Sequence, residues 1–218
     1  MKLFDTSLYF ITDSNYATED ELLYKTEEAI CGGVSIVQLR EKECSTREYI
    51  CLAEKMHRVT QKYNVPLIID DRVDVAMASG AEGVHLGQSD MPVCMARKIL
   101  GNEKIIGATA KTVEQAIEAY SMGADYLGVG AIYPTTTKVK TILTSTDTLH
   151  EICKAVPIPV NAIGGLNKDN IHVLAGIPIA GICVVSALMK AEDPKQAAIE
   201  LRNKATTFGL CCAKKEKH

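Results

Sequence analysis

The chain has 218 residues, 47% hydrophobic and 23% charged, a globular balance in a length that one large barrel can fill without a second domain. Its 24 Lys and Arg stand against 27 Asp and Glu, a net charge of −3, which leaves no basic footprint for nucleic acid and no polybasic arm. No apolar run approaches the ~20 residues of a membrane helix, and "MKLFDTSLYFITDS", broken by Asp5 and Asp13, is too polar for a secretory leader, so a cytoplasmic protein is expected.

In chain order, "LYFIT" (8–12) predicts the first strand, and Thr18 with Glu21 reads as a capping box opening the first helix. "VSIVQL" (34–39) predicts the second strand, and Ser45 with Glu48 opens the helix behind it. The end of that strand, "QLREK", sets Gln38 and Arg40 on one side and adds Lys42. A guanidinium fork beside an ammonium suits an anion; the alternative is a solvated loop neutralised by Glu41 and Glu43.

"PLIID" (66–70) is the third predicted strand and runs into Asp70 and Asp71; "GVHL" (83–86) is the fourth and is followed by Gln88 and Asp90. Neighbouring strands bring those loops together, so Asp71 and Asp90 can share a Mg2+, an ion that keeps its waters and takes few carboxylates. The alternative is that each aspartate caps a helix, starting at Arg72 and Met91. His85, inside the fourth run, is either a lumen histidine or a catalytic one.

"KIIGA" (104–108) predicts the fifth strand. Thr112 with Gln115 opens a helix in which Val113, Ala116, Ile117 and Tyr120 define one apolar face. After the sixth strand, "YLGVG" (126–130), the stretch from Pro134 to Ser145 lacks clean periodicity. It is long against the ~2 to 6 residues of an ordinary strand-to-helix connection. Thr135, Thr136, Thr137 and Lys138 make it either a binding loop or a polar linker; it is not a Walker A sequence. "IPVNAI" (158–163) and "GICVVS" (181–186) complete the set, and Asp193-Pro194 opens the last helix. Gly164, Gly165 and Ser186 beyond the last two strands suit a phosphate cradle.

Eight nearly continuous apolar strands alternating with helices imply a parallel sheet buried on both faces. In this length the sheet is expected to close as a single-domain (β/α)8 TIM barrel over residues 1–210, with 211–218 a polar tail; an open doubly wound sheet is the alternative. The eight cysteines contain no C-x-x-C pair and read as free thiols, with Cys211 and Cys212 in the tail. Chemistry then belongs at the C-terminal strand ends, where two anion sites share one rim. They point to two phosphorylated substrates, one carrying a metal-bound diphosphate.

The stretches "LYFITD", "QLREK", "DDRVDVAMASGAEGVHLGQSDM", "IIGATAKT", "GADYLGVGAIYPTTTK", "IPVNAIGGL" and "VVSAL" together resemble thiamine phosphate synthase over nearly the whole chain. The resemblance implies a transferase that joins 4-amino-2-methyl-5-hydroxymethylpyrimidine diphosphate to a hydroxyethylthiazole phosphate, or its carboxylated form. The products are thiamine phosphate and pyrophosphate, and the substitution at the pyrimidine methylene is dissociative and assisted by Mg2+. Carried onto this chain, it assigns Arg40, Lys42 and Lys138 to the diphosphate, Asp71 and Asp90 to Mg2+, and Gln38 to the pyrimidine, with Asp70 beside it. Thr109 would stand near the leaving group. Thr135 and Thr137 would line the thiazole phosphate side, and Gly165, Val185 and Ser186 would hold that phosphate.

Three positions depart from the family pattern: Asp70 replaces an Asn, Thr109 replaces a Ser, and Asn161 stands where a small or apolar residue is expected and can face the pocket. The partners implied are the two small-molecule substrates, with a homodimer admitted and neither nucleic acid nor membrane expected. Three rivals remain. A thiazole tautomerase would need no metal cluster, a degenerate binder would hold ligands without turnover, and a phosphate-handling isomerase would use Asp71 as a base.

Overall fold

A computed structural model describes residues 4–134 and 143–210. Among these residues, eight short parallel strands close into one barrel in sequence order. They are β1 (Leu8–Ile11), β2 (Ile36–Leu39), β3 (Leu67–Asp70), β4 (Gly83–Leu86), β5 (Ile105–Ala110), β6 (Tyr126–Gly130), β7 (Val160–Ile163) and β8 (Gly181–Val184). The barrel closes where β1 pairs with β8, Tyr9 opposite Cys183.

The helices are α1 (Glu19–Cys31), α2 (Thr46–Gln61), α3 (Val73–Ala78), α4 (Val93–Leu100), α5 (Val113–Ser121), α6 (Thr146–Ala155), α7 (Ser186–Met189) and α8 (Pro194–Thr207). Among the described residues strict alternation fails twice, after β7 and after β8, the latter being followed by both α7 and α8. Between β7 and β8 the chain makes a 3-10 turn, Ile171–Leu174, in place of an α-helix. There Asn167 and Asn170 side chains bond to nearby backbone N–H groups, a local alternative to helical bonding. Ser186, read from the sequence as the end of the last strand, instead begins α7.

Thr18 and Ser45 form reciprocal capping boxes with Glu21 and Glu48. Thr112 accepts from the Gln115 N–H, but the Gln115 side chain accepts from Lys111 N–H, so that box closes one residue early. The buried face of α5 also differs from expectation. Ala116 and Ala119 are buried, whereas Ile117 and Tyr120 are exposed.

Strand side chains alternate. Leu8, Phe10, Val37, Leu39, Leu67 and Ile69 face the helices in the main core, while Tyr9, Ile11, Ile36, Ile68, Ile105, Tyr126 and Cys183 form a second cluster inside the barrel. The Tyr126 and His85 rings fit because β5 carries Gly107. A Cβ there would meet Tyr126 Cζ at 2.1 Å and His85 Nδ1 at 2.5 Å. Asn161 does not reach the pocket. It is fully buried lower in the barrel, where its Nδ2 donates to the Thr6 carbonyl at 2.6 Å. No helix among the described residues is long and apolar enough to cross a membrane.

Candidate active site

A cavity of about 280 Å3 opens at the C-terminal ends of the strands. Gln38, Arg40 and Lys42 from β2 and its loop, Asp70 at the end of β3 and Asp71 just after it, Asp90 beyond β4 and Thr109 on β5 all line it. Gly164 and Gly165 after β7 and Val185 and Ser186 after β8 line the other side. Thr135, Thr137 and Lys138 lie outside the described residues.

The charged side is a compact network. Lys42 Nζ donates to Asp70 Oδ2 at 2.7 Å and also to Asp71. Arg40 stands between Asp70, 3.8 Å from its Nε, and Asp13, 3.6 Å from its Nη1. Burial favours neutral Lys42, yet the two carboxylates outweigh it and hold the ammonium above its usual range. Asp70 is buried, and that burial, reinforced by the adjacent Asp71 charge, pushes its carboxyl up to about 6 against the pull of Lys42.

Asp71 and Asp90 do not cap helices. Arg72 and Pro92 occupy the N-cap positions of α3 and α4, and neither makes a side-chain cap bond. Asp90 folds back instead, accepting the Gly87 N–H at 2.6 Å. Asp71 sits at φ 59°, a left-handed backbone that costs an L-residue roughly 1–2 kcal/mol. Its N–H donates to the His85 carbonyl, which anchors this conformation to β4.

The two carboxylates come within hydrogen-bond reach of each other. Burial raises Asp71, but the Lys42 hydrogen bond and charge overcome it, so its carboxyl lies below the ordinary value. Asp90 is raised by burial and by facing Asp71. Two facing acids need a proton or a cation between them. No group of three or more His, Cys, Asp or Glu among the described residues could cage a metal. The donor set therefore fits a hard ion that takes one or two carboxylates and completes its shell with water and phosphate oxygens.

The cavity also has a polar floor, of which only His85 was expected from the sequence, as a lumen or catalytic histidine. Tyr9, Tyr126 and His85 line it, and Lys111 stands at its rim. Counting in twos along β1 and β6 would have placed both tyrosines inside the barrel; nothing local in the sequence marks them as polar partners of Gln38 and Thr109. Across the rim, Gln88 Nε2 donates to the Thr109 carbonyl at 2.6 Å and ties the β4 loop to β5.

The family model described as thiamine monophosphate synthase matches residues 8–188. A thiamine-phosphate synthase from Clostridium tetani is 48% identical over 200 residues, covering 92% of this chain and 96% of its own. Thiamine-phosphate synthase 2 from Streptococcus pneumoniae is 53% identical over 186 residues, covering 85% and 89%. Among solved structures, a thiamine phosphate pyrophosphorylase from Pyrococcus furiosus superposes with a TM-score of 0.84 at 39% identity, over 93% of this chain and 96% of that one. A 3-hexulose-6-phosphate synthase, at 16% identity and a TM-score of 0.67, shares the barrel.

Proposed function

The chain belongs to the thiamine monophosphate synthase family and is an enzyme with thiamine-phosphate synthase function, and from that premise we propose its substrates, metal and mechanism. The substrates are an aminopyrimidine methyl diphosphate and a thiazole phosphate; the products are thiamine phosphate and pyrophosphate. The observation that carries this reading is the union, in one cavity, of a cation-and-acid side and a glycine-and-serine side.

In this reading Arg40 and Lys42 exchange part of their contact with Asp70 and Asp71 for diphosphate oxygens, so negative charge on the leaving group meets fixed cations. Lys138, outside the described residues, would add a third. Gln38 orients the pyrimidine, with Asp70 next to it. Thr109, Gly165, Val185 and Ser186 fix the two phosphorylated ends, and Thr135 and Thr137 would complete the thiazole side. Asp71 and Asp90 would hold Mg2+. Bound there, the ion would act as a Lewis acid that screens the diphosphate and its departing oxygen.

The ring amino group supplies electrons as the methylene C–O bond breaks, and the thiazole nitrogen then forms the new C–N bond. No covalent nucleophile is needed. The protein aligns two rings in a water-poor barrel mouth, where orientation alone supplies much of the acceleration. Incubation with both substrates should yield thiamine phosphate by chromatography and mass spectrometry, and neither substrate alone should do so. Product from neither combination, in a folded protein, would overturn the reading.

A further inference from the structure

Resting on that reading, we propose that Tyr9, Tyr126 and His85 form a directional hydrogen-bond relay that couples Gln38 at one end of the cavity to Thr109 at the other. The three are positioning residues: they set which end of the site accepts a hydrogen bond and which end donates one.

The chain of contacts is continuous. Gln38 Nε2 donates to Tyr9 Oη at 2.9 Å, and Tyr9 Oη lies 2.7 Å from Tyr126 Oη. Tyr126 Oη lies 3.1 Å from His85 Nδ1, and His85 Nε2 lies 3.0 Å from Thr109 Oγ1. Four hydrogen bonds thus cross the barrel interior from β2 to β5. Both phenols are fully enclosed, and burial holds each well above its usual titration range, so each carries one proton.

Counting hydrogens fixes the direction. The Gln38 amide nitrogen can only donate, so Tyr9 Oη accepts there and spends its own hydrogen on Tyr126. Tyr126 then spends its hydrogen on His85 Nδ1. A neutral imidazole that accepts at Nδ1 carries its hydrogen on Nε2, which donates to Thr109 Oγ1. With the Gln38 amide in this orientation and the imidazole neutral, any other direction leaves an enclosed hydroxyl hydrogen without an acceptor, a loss of about 1–3 kcal/mol per group. Turning the Gln38 amide over would reverse every bond, so the relay has two polarities.

The inferred polarity leaves the Gln38 Oε1 acceptor without a protein partner among the described residues and frees the Thr109 hydroxyl hydrogen to donate. Those ends match the proposed substrate: an exocyclic amino group donates, and the oxygens of a departing diphosphate accept. In the opposite polarity Gln38 would present N–H to the amino group, and the Thr109 hydrogen would be spent on His85. Binding of the amino group therefore favours the polarity in which Thr109 donates to the leaving group.

Two measurements test this. The first is a double-mutant cycle on kcat with both substrates and Mg2+. Thr109→Val and Tyr126→Phe should each lower kcat by about fivefold or more, the rate equivalent of one net hydrogen bond, with the thiazole phosphate KM unchanged. Adding Tyr126→Phe to Thr109→Val should cost nothing further, because Tyr126 acts through Thr109. Losses that multiply would overturn the relay.

The second is long-range 15N–1H correlation of the histidine rings in wild-type protein, with His85 assigned by comparison with His85→Gln. His85 should appear as the neutral tautomer protonated at Nε2. Protonation at Nδ1 would overturn the direction, whatever the variants do. Wild type without turnover would overturn the proposed function instead, and the ring spectrum would still decide the relay.

Discussion

Replacing Asp70 with Asn should stabilise the substrate-free protein, and by an amount that depends on pH. Asp70 is buried at the end of β3, and its carboxyl rises from 3.8 to about 6 because burial and the Asp71 charge outweigh Lys42. Between those two values the unfolded chain has lost the proton that the folded chain retains. The unfolded state then binds fewer protons, so stability falls as pH rises through this window and levels off above about 6. A rise of about two pH units corresponds to ~3 kcal/mol at neutral pH.

Asn keeps the shape and removes the ionisation, but it weakens the contact with Lys42, which Asp71 still holds. That loss is worth about 1 kcal/mol, because the ammonium is partly solvated. The net gain is about 2 kcal/mol at neutral pH, or roughly 4–8 °C in Tm for a chain of this size. At about pH 4, where Asp70 is largely neutral in the fold, the gain should disappear. Differential scanning calorimetry of both proteins at the two pH values reads this directly. A lower Tm for Asp70→Asn at neutral pH, or one shift common to both pH values, would show that Asp70 ionisation does not destabilise the fold.

Asp90→Asn should abolish Mg2+-dependent turnover while circular dichroism stays native, since the side chain caps no helix and its loss weakens one loop bond to Gly87, about 1 kcal/mol. Turnover at the wild-type rate would release Asp90 from the metal role. Gly165→Ala should raise the KM for the thiazole phosphate and lower Tm, because Gly165 sits at φ +64° and a Cβ there would lie 2.8 Å from Tyr133 Cβ. An unchanged KM would remove this turn from the phosphate site. Ser45→Ala removes the reciprocal cap of α2 and should cost about 1 kcal/mol, seen as a fall of roughly 3 °C in Tm with no change in kcat.

The barrel was legible because eight strands buried on both faces cannot hide their apolar runs, and because Thr18, Ser45 and Asp193 mark helix starts by local hydrogen bonding. Period-based reading misplaced the buried side of α5. Hydrophobicity alone selects Ile117 and Tyr120, yet the face toward the barrel uses Ala116 and Ala119. Small side chains suit a helix lying close to a sheet. The 3-10 turn before β8 escaped for a similar reason, since side-chain bonds from Asn167 and Asn170 compete with helical ones at no cost visible in hydropathy.

In the site, strand-end counting brought Gln38, Arg40, Asp70, Asp71 and Asp90 into one cavity, and the family resemblance added Thr109. It could not choose between a capping and a facing role for Asp71 and Asp90. That choice needed the left-handed backbone at Asp71 and the return of Asp90 to Gly87. The tyrosine pair escaped because its meaning lies in cross-barrel contacts, Tyr9 with Tyr126, that join residues 117 positions apart.

Pyrophosphate release from purified protein given both substrates, first with Mg2+ and then with EDTA, bears most directly on the proposed chemistry. Release that requires both substrates and stops with EDTA is the expected result. Release that continues unchanged in EDTA would contradict the metal role of Asp71 and Asp90, and no release from folded protein in Mg2+ would contradict the proposed reaction itself.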